Sequence, residues 1–99
     1  MLYAIIGRDC PNSLPIRMRV RPAHLERVRG LVEAGRLDVA GPFPAVDAAD
    51  PGSAGFTGSL IVAEFVSLAE AQAWAASDPY VTEGVFEHCD VRPFRQVLP

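Results

Sequence analysis

The first candidates for chemistry in this 99-residue chain are the imidazole of His24 and the carboxylate of Asp78. An imidazole changes charge near neutral pH, so it can serve as a base and then return the proton as an acid. A carboxylate on its second nitrogen would fix the tautomer and stabilise the imidazolium. Each residue also has a plainer role open to it. His24 can be a core histidine satisfied by a backbone carbonyl. Asp78 can be the N-cap of a short helical turn from Pro79 to Glu83, with proline in the first helical position. The two roles of Asp78 are compatible, because one carboxylate oxygen can cap while the other meets a partner.

Arg17, Arg21 and His24 are spaced by four and three, and they share one side of a helix if that helix begins before Pro22. Such a side could hold a substrate carboxylate; the alternative is a pair of solvated arginines at a helix entry. Tyr80 and Ser59 are polar handles of the sort found in pockets. The segment Gly55-Phe56-Thr57-Gly58-Ser59 lacks the lysine and the strand-to-helix setting of a phosphate-binding loop. Cys10 and Cys89 are the only cysteines and are expected to be free thiols. Neither has the companions of a zinc site, and His88 points away from Cys89 if both lie on a strand.

Composition narrows the classes. The chain is 49% hydrophobic and 21% charged, which is one ordinary globular domain. All nine basic residues are arginine and the net charge is −3, so a surface that tracks nucleic-acid phosphates is not expected. No apolar run approaches the roughly 18 to 20 residues of a membrane span, and Met1 to Ile6 lacks the charged start of a signal peptide. The expected location is the cytoplasm.

The elements that must position these residues follow from periodicity. Residues 1–8 are a β-rich apolar run, and 9–16, with two prolines, read as a loop. A helix is predicted from Arg21-Pro22 to Ala34. At about 100° per residue its apolar side gathers Leu25, Val28, Leu31 and Val32 with His24 among them in the first turn, and Gly35 ends it. Leu37 to Ala40 is a short second strand, and 41–58, rich in Pro, Gly and Ala, reads as a long loop. Ser59 to Val66 is a nearly continuous apolar strand. Ser67 and Glu70 form a capping box for an alanine-rich helix to about Ser77. A last strand, about Val85 to Val97, carries Pro93, which marks an edge or a bulge.

The order is βαββαβ, the α+β ferredoxin-like plan, with a four-stranded antiparallel sheet and two helices on one face. In that plan the start of one helix and the end of the other lie apart, so His24 meets Asp78 only if the chain after Ser77 folds back. The strands lack the polar alternation of a wetted second face, and a chain this short has a small core. Both point to a homodimer formed through the sheet face.

Several segments together resemble the YCII family of small bacterial proteins. They are Arg21-Pro22-Ala23-His24-Leu25, Gly35-Arg36-Leu37, Ala40-Gly41-Pro42, residues 50–59, Ala71-Gln72-Ala73-Trp74-Ala75, Asp78-Pro79-Tyr80-Val81 and Val91-Arg92-Pro93-Phe94. The resemblance implies a ferredoxin-like subunit that pairs through its sheet, the dimeric α+β barrel. It also implies an active site built on a histidine and an aspartate, which map onto His24 and Asp78. Residues 9–16 depart from the family pattern at Cys10 and Pro15. The reading that results is a small enzyme without metal or organic cofactor. Its cleft would lie between helices and sheet, partly closed by the 41–58 loop. Arg17, Arg21, Gly41, Pro42, Phe56, Ser59 and Tyr80 would surround a small cyclic or unsaturated acid. His24 would move a proton beside a carbonyl, leading to isomerisation or loss of a leaving group such as a halide. Similar folds host other activities, so a non-catalytic dimer that binds a ligand or partner, and a cofactor-free monooxygenase, stand as alternatives.

Overall fold

The computed structural model describes residues 1–99. In chain order it has β1 (Leu2–Asp9), α1 (Leu14–Glu33), β2 (Leu37–Pro44), a 3-10 turn (Gly52–Ala54), β3 (Phe56–Glu64), α2 (Leu68–Ala76), α3 (Pro79–Thr82) and β4 (Phe86–Phe94). The four strands form one antiparallel sheet in the order β2-β3-β1-β4. This is the ferredoxin-like fold, with α3 as a short third helix.

Strand alternation sorts the sheet into two faces. Tyr3, Ile5, Ile61, Ala63 and Phe65 are buried beneath the helices, where they pack with Val28 and Leu31 of α1 and Ala71 and Ala75 of α2. Burial of each large side chain contributes about 1.5–3 kcal/mol. A second, smaller cluster of Val20, Tyr80 and Val85 sits where α3 meets α1. On the opposite face the register lines up Val39, Val62 and Ala4 in one row and Gly41, Leu60 and Ile6 in the next. Ile6, Val39, Phe43 and Phe94 remain 37–49% exposed. Asp90 and Arg92 make the β4 side of this face polar, and they pair with each other.

Several boundaries differ from the sequence expectation. α1 begins at Leu14, not at Arg21. Pro15 occupies the first turn, where its missing N–H would have no helical partner anyway. Pro22 lies inside the helix, and the Met18 carbonyl it would have served is on an exposed residue that water can reach. The buried stripe therefore runs Arg17, Val20, His24, Val28, Leu31, and Val32 falls outside it at 56% exposure. β2 continues through Gly41 and Pro42 to Pro44, and β3 starts at Phe56, so the expected 41–58 loop shrinks to 45–55. Prolines fit β2 because it is an edge strand, as is β4 with Pro93. β4 ends at Phe94, short of the expected Val97.

The capping box of α2 forms. Ser67 Oγ accepts from the Glu70 N–H at 3.1 Å, and the Glu70 carboxylate reaches back to the Val66 N–H at 3.0 Å.

Candidate active site

With α1 starting at Leu14, His24 lies near the middle of the helix and not in its first turn. Asp78 reaches it because α3 turns the chain back against α1. Asp78 is the N-cap of α3, its Oδ1 accepting from the Tyr80 N–H at 2.9 Å. The same carboxylate faces His24, whose Nδ1 is 2.9 Å from Oδ1 and 3.0 Å from Oδ2. Capping and pairing are thus one arrangement. Facing a carboxylate, Nδ1 is the ring nitrogen that carries the proton, which leaves Nε2 with its lone pair free.

Nε2 makes no hydrogen bond within the protein, although His24 is only 8% exposed. Since no fully buried side-chain nitrogen or oxygen lacks a partner, Nε2 lies at the wall of a solvent-connected space. That space is a cavity of about 160 Å³ between α1 and the β2–β3 edge of the sheet. It is close to the roughly 150 Å³ that holds a single benzene ring.

Two neighbours hold the pair. Tyr80 stacks flat on His24, and Phe86 meets Tyr80 edge-on with ring centres 5.5 Å apart. Arg27 donates to Asp78 Oδ2 at 3.0 Å, to the Trp74 carbonyl and to Ser77 Oγ, while lying 4.3 Å from the centre of the Trp74 ring. Burial pushes the Tyr80 phenol above its ordinary range, against the nearby Arg17 and Arg21 charges, which pull it down. Tyr80 is therefore a neutral phenol at working pH.

Arg17 forms a second polar centre. Far from being solvated at a helix entry, it is 4% exposed. Its Nε and Nη2 grip the two oxygens of Asp9 at 3.0 and 2.9 Å. Nη2 also reaches the Gly58 carbonyl and, at 2.9 Å, Ser59 Oγ. Ser13 forgoes capping α1 and donates to Asp9 Oδ2 at 2.6 Å. The Arg17 guanidinium also lies over the rings of Tyr80 and Phe56.

Of the residues singled out from the sequence, His24, Arg17, Arg21, Gly41, Pro42, Ser59 and Tyr80 line the cavity. Asp78 stands behind His24. Phe56 lies outside, on a neighbouring groove with Leu14, Met18 and Arg21. The 45–55 loop lines none of the cavity and runs beside the first turn of α1, Gly55 lying against Leu14. Closure by the long loop is thus not what the structure has; strands β2 and β3 form that wall. Sequence reasoning missed Asp9 and Arg27. Strand alternation from Tyr3 and Ile5 would have put Asp9 on the helix side, and Arg27 lies one turn beyond His24.

The class of protein is thus a ferredoxin-like domain, here with His24 and Asp78 paired beside a cavity under its first helix. The chain belongs to the YCII family: the model of the YCII-related domain matches residues 1–95. It is 59% identical over 98 residues to Protein YciI of Escherichia coli O6:H1, covering 99% of this chain and 100% of that protein. An uncharacterized protein of Haemophilus influenzae is 47% identical with the same coverage. Among solved structures it is similar to the 5-chloro-2-hydroxyhydroquinone dehydrochlorinase (TftG) from Burkholderia phenoliruptrix AC1100, in complex with 2,5-dihydroxybenzoquinone. The TM-score is 0.84 and the identity 27%, covering 96% of this chain and 94% of that one.

Proposed function

We propose that the protein is an enzyme that transfers a proton on a small cyclic or unsaturated acid, with His24 as general base and acid and Asp78 as its orienting partner. One observation carries this reading: Nδ1 is committed to Asp78 while Nε2 is unpaired at the wall of a ring-sized cavity. A histidine kept only for the fold has no need of an open nitrogen. The likeness to a dehydrochlorinase solved with a quinone supports a reaction beside a carbonyl on a six-membered ring. The step draws only on side chains. His24 takes a proton from carbon, and the electron pair moves toward the carbonyl oxygen. The proton then returns elsewhere, or a leaving group departs from the neighbouring carbon.

The test is deuterium incorporation in D₂O, followed by NMR, together with halide release, across a panel of butenolides, cyclic keto acids and chlorinated hydroquinones. Wild-type protein exchanges or eliminates on at least one member. His24→Ala loses about 10²–10⁴-fold, the range for a positioned acid–base group. Full activity in His24→Ala removes His24 as the acid–base group, and binding of the panel without exchange or elimination favours the non-catalytic ligand-binding alternative.

The same reading takes the active form as a cytoplasmic homodimer joined through the open sheet face. Support comes from Ile6, Val39, Phe43 and Phe94, which stay exposed on that face and which a second copy of the same face would cover. Two free thiols, Cys10 and Cys89, suit a reducing compartment. Sedimentation of wild type at the dimer mass, and of Ile6→Asp at the monomer mass, is the expected result.

A further inference from the structure

We infer that the cavity is built for an anionic oxygen, held by Arg17 Nη1 and the Ser59 hydroxyl opposite His24 Nε2, so that the ligand is a single-ring acid and not a neutral or cationic analogue. This deepens the proton-transfer reading and rests on it for the reaction, while its binding claim stands on the hydrogen-bond inventory alone.

Arg17 has three nitrogens. Nε and Nη2 are saturated by Asp9, the Gly58 carbonyl and Ser59. Nη1 donates to no carboxylate or carbonyl, on a side chain 95% buried and lining the cavity, where the Tyr80 hydroxyl is the protein oxygen within reach of the guanidinium. By the same reasoning as for His24, Nη1 reaches the cavity, because no fully buried nitrogen is left unpartnered. Ser59 Oγ accepts from Arg17 and gives its own proton to no protein acceptor, and Ser59 too lines the cavity while only 6% exposed. Both donors are fixed, since the Asp9 grip prevents the guanidinium from turning away.

The acceptor side is the reverse. The two carboxylates near the cavity are both consumed, Asp9 by Arg17 and Ser13, and Asp78 by His24, Arg27 and the Tyr80 N–H. Arg21, one turn along α1 from Arg17, adds positive charge at the cavity rim. A space with free donors, one basic nitrogen and no free carboxylate selects against cations. It favours a carboxylate or an ionised enol. Where the anionic oxygen held there is conjugated with the reacting carbon, the same two donors meet the charge that develops: His24 removes the carbon proton, the C–H electrons flow into the conjugated system, and the enolate charge spreads onto the oxygen held by Arg17 and Ser59. Collapse of the enolate returns the proton from His24 to another carbon, or expels a leaving group with the electron pair.

The experiment is calorimetric and NMR titration with three matched rings: benzoate, benzamide and benzylammonium. Wild type binds benzoate at least tenfold more tightly than benzamide, and benzylammonium most weakly. Arg17→Gln removes at least tenfold from benzoate while leaving benzamide within twofold. Ser59→Ala, which keeps the Arg17–Asp9 pair, weakens benzoate about three- to tenfold, and it decides the matter if Arg17→Gln does not fold. Equal affinity for benzoate and benzamide, tighter binding of benzylammonium, or indifference of benzoate to Ser59→Ala overturns the inference. The two readings fail separately. Benzoate preference without deuterium exchange removes the proton-transfer reading alone, whereas exchange without benzoate preference removes this one.

Discussion

Tyr80 lies flat against His24, ring centres 3.9 Å apart and planes within 8° of parallel. The Asp78 carboxylate fixes the edge of the imidazole and Tyr80 fixes its face, so the ring can neither rotate about its bond nor tip out of plane. Tyr80→Phe keeps that face. Its stability is expected within about 1 kcal/mol of wild type, with proton-transfer activity reduced less than tenfold. Tyr80→Ala opens a hole in the cluster with Val20 and Val85 and costs about 3–5 kcal/mol. Its exchange activity falls well beyond that of the phenylalanine variant. Urea denaturation and the D₂O exchange rate, measured on both, check the pair of outcomes.

Asp9 and Arg17 form an ion pair whose side chains are 2% and 5% exposed. Removing one partner strands the other charge, so Asp9→Ala costs about 3–5 kcal/mol. The double variant Asp9→Leu with Arg17→Met strands neither. Its loss is expected to be smaller than the sum of the losses of Asp9→Leu and Arg17→Met made singly. A double-mutant cycle in urea checks this, and simple additivity would contradict it.

Gly58 lies on β3 opposite Arg8 of β1. A Cβ there would run into the backbone carbonyl oxygen of Gly7, and neither strand can yield without breaking the ladder. Gly58→Ala is therefore expected to lose at least about 1–3 kcal/mol. Gly30, on the exposed side of α1, has nothing near its missing Cβ. Gly30→Ala should gain about 0.5–1 kcal/mol through helix propensity. Thermal melts of the two variants should move in opposite directions.

Alkaline pH should weaken the fold. Burial raises the Tyr80 phenol, and burial, followed by the charges of Asp78 and Asp90, raises the Cys89 thiol. Both groups keep their protons in the folded chain over a range where the unfolded chain releases them. Their stabilisation is complete below the ordinary values, about 9 for the thiol and 10 for the phenol. It is lost as pH rises through the folded values. Denaturation midpoints at pH 8, 9.5 and 10.5 should fall in that order, and Cys89→Ala should flatten the first part of the decline.

Much of this was legible in the chain because it is local. His24 falls among Val28 and Leu31 by helical spacing, and Asp78 before Pro79 is a cap by residue type. The order of strands and helices followed from the period of their apolar residues. The start of α1 was not legible, since Pro15 and Pro22 carry the same mark whether they break a helix or sit in its tolerated positions. Asp9 was hidden for a different reason. Its partner is eight residues on, across a turn, and only the meeting of a strand end with a helix flank makes the two neighbours. The meeting of His24 with Asp78 depended likewise on α3, a single turn of helix whose direction no periodicity encodes.

Arg17, His24 and Arg27 are mounted on one twenty-residue helix, the first clamped to Asp9 and the other two to Asp78. The span from the guanidinium's anchor point to that of the imidazole is set by helical rise, about 10 Å for seven residues. The facing wall is shared between β3 and β2, an edge strand paired on one side only. Over evolutionary time such a molecule can widen or narrow its hollow for another ring by altering β2, while the working parts stay in alignment along their common rail.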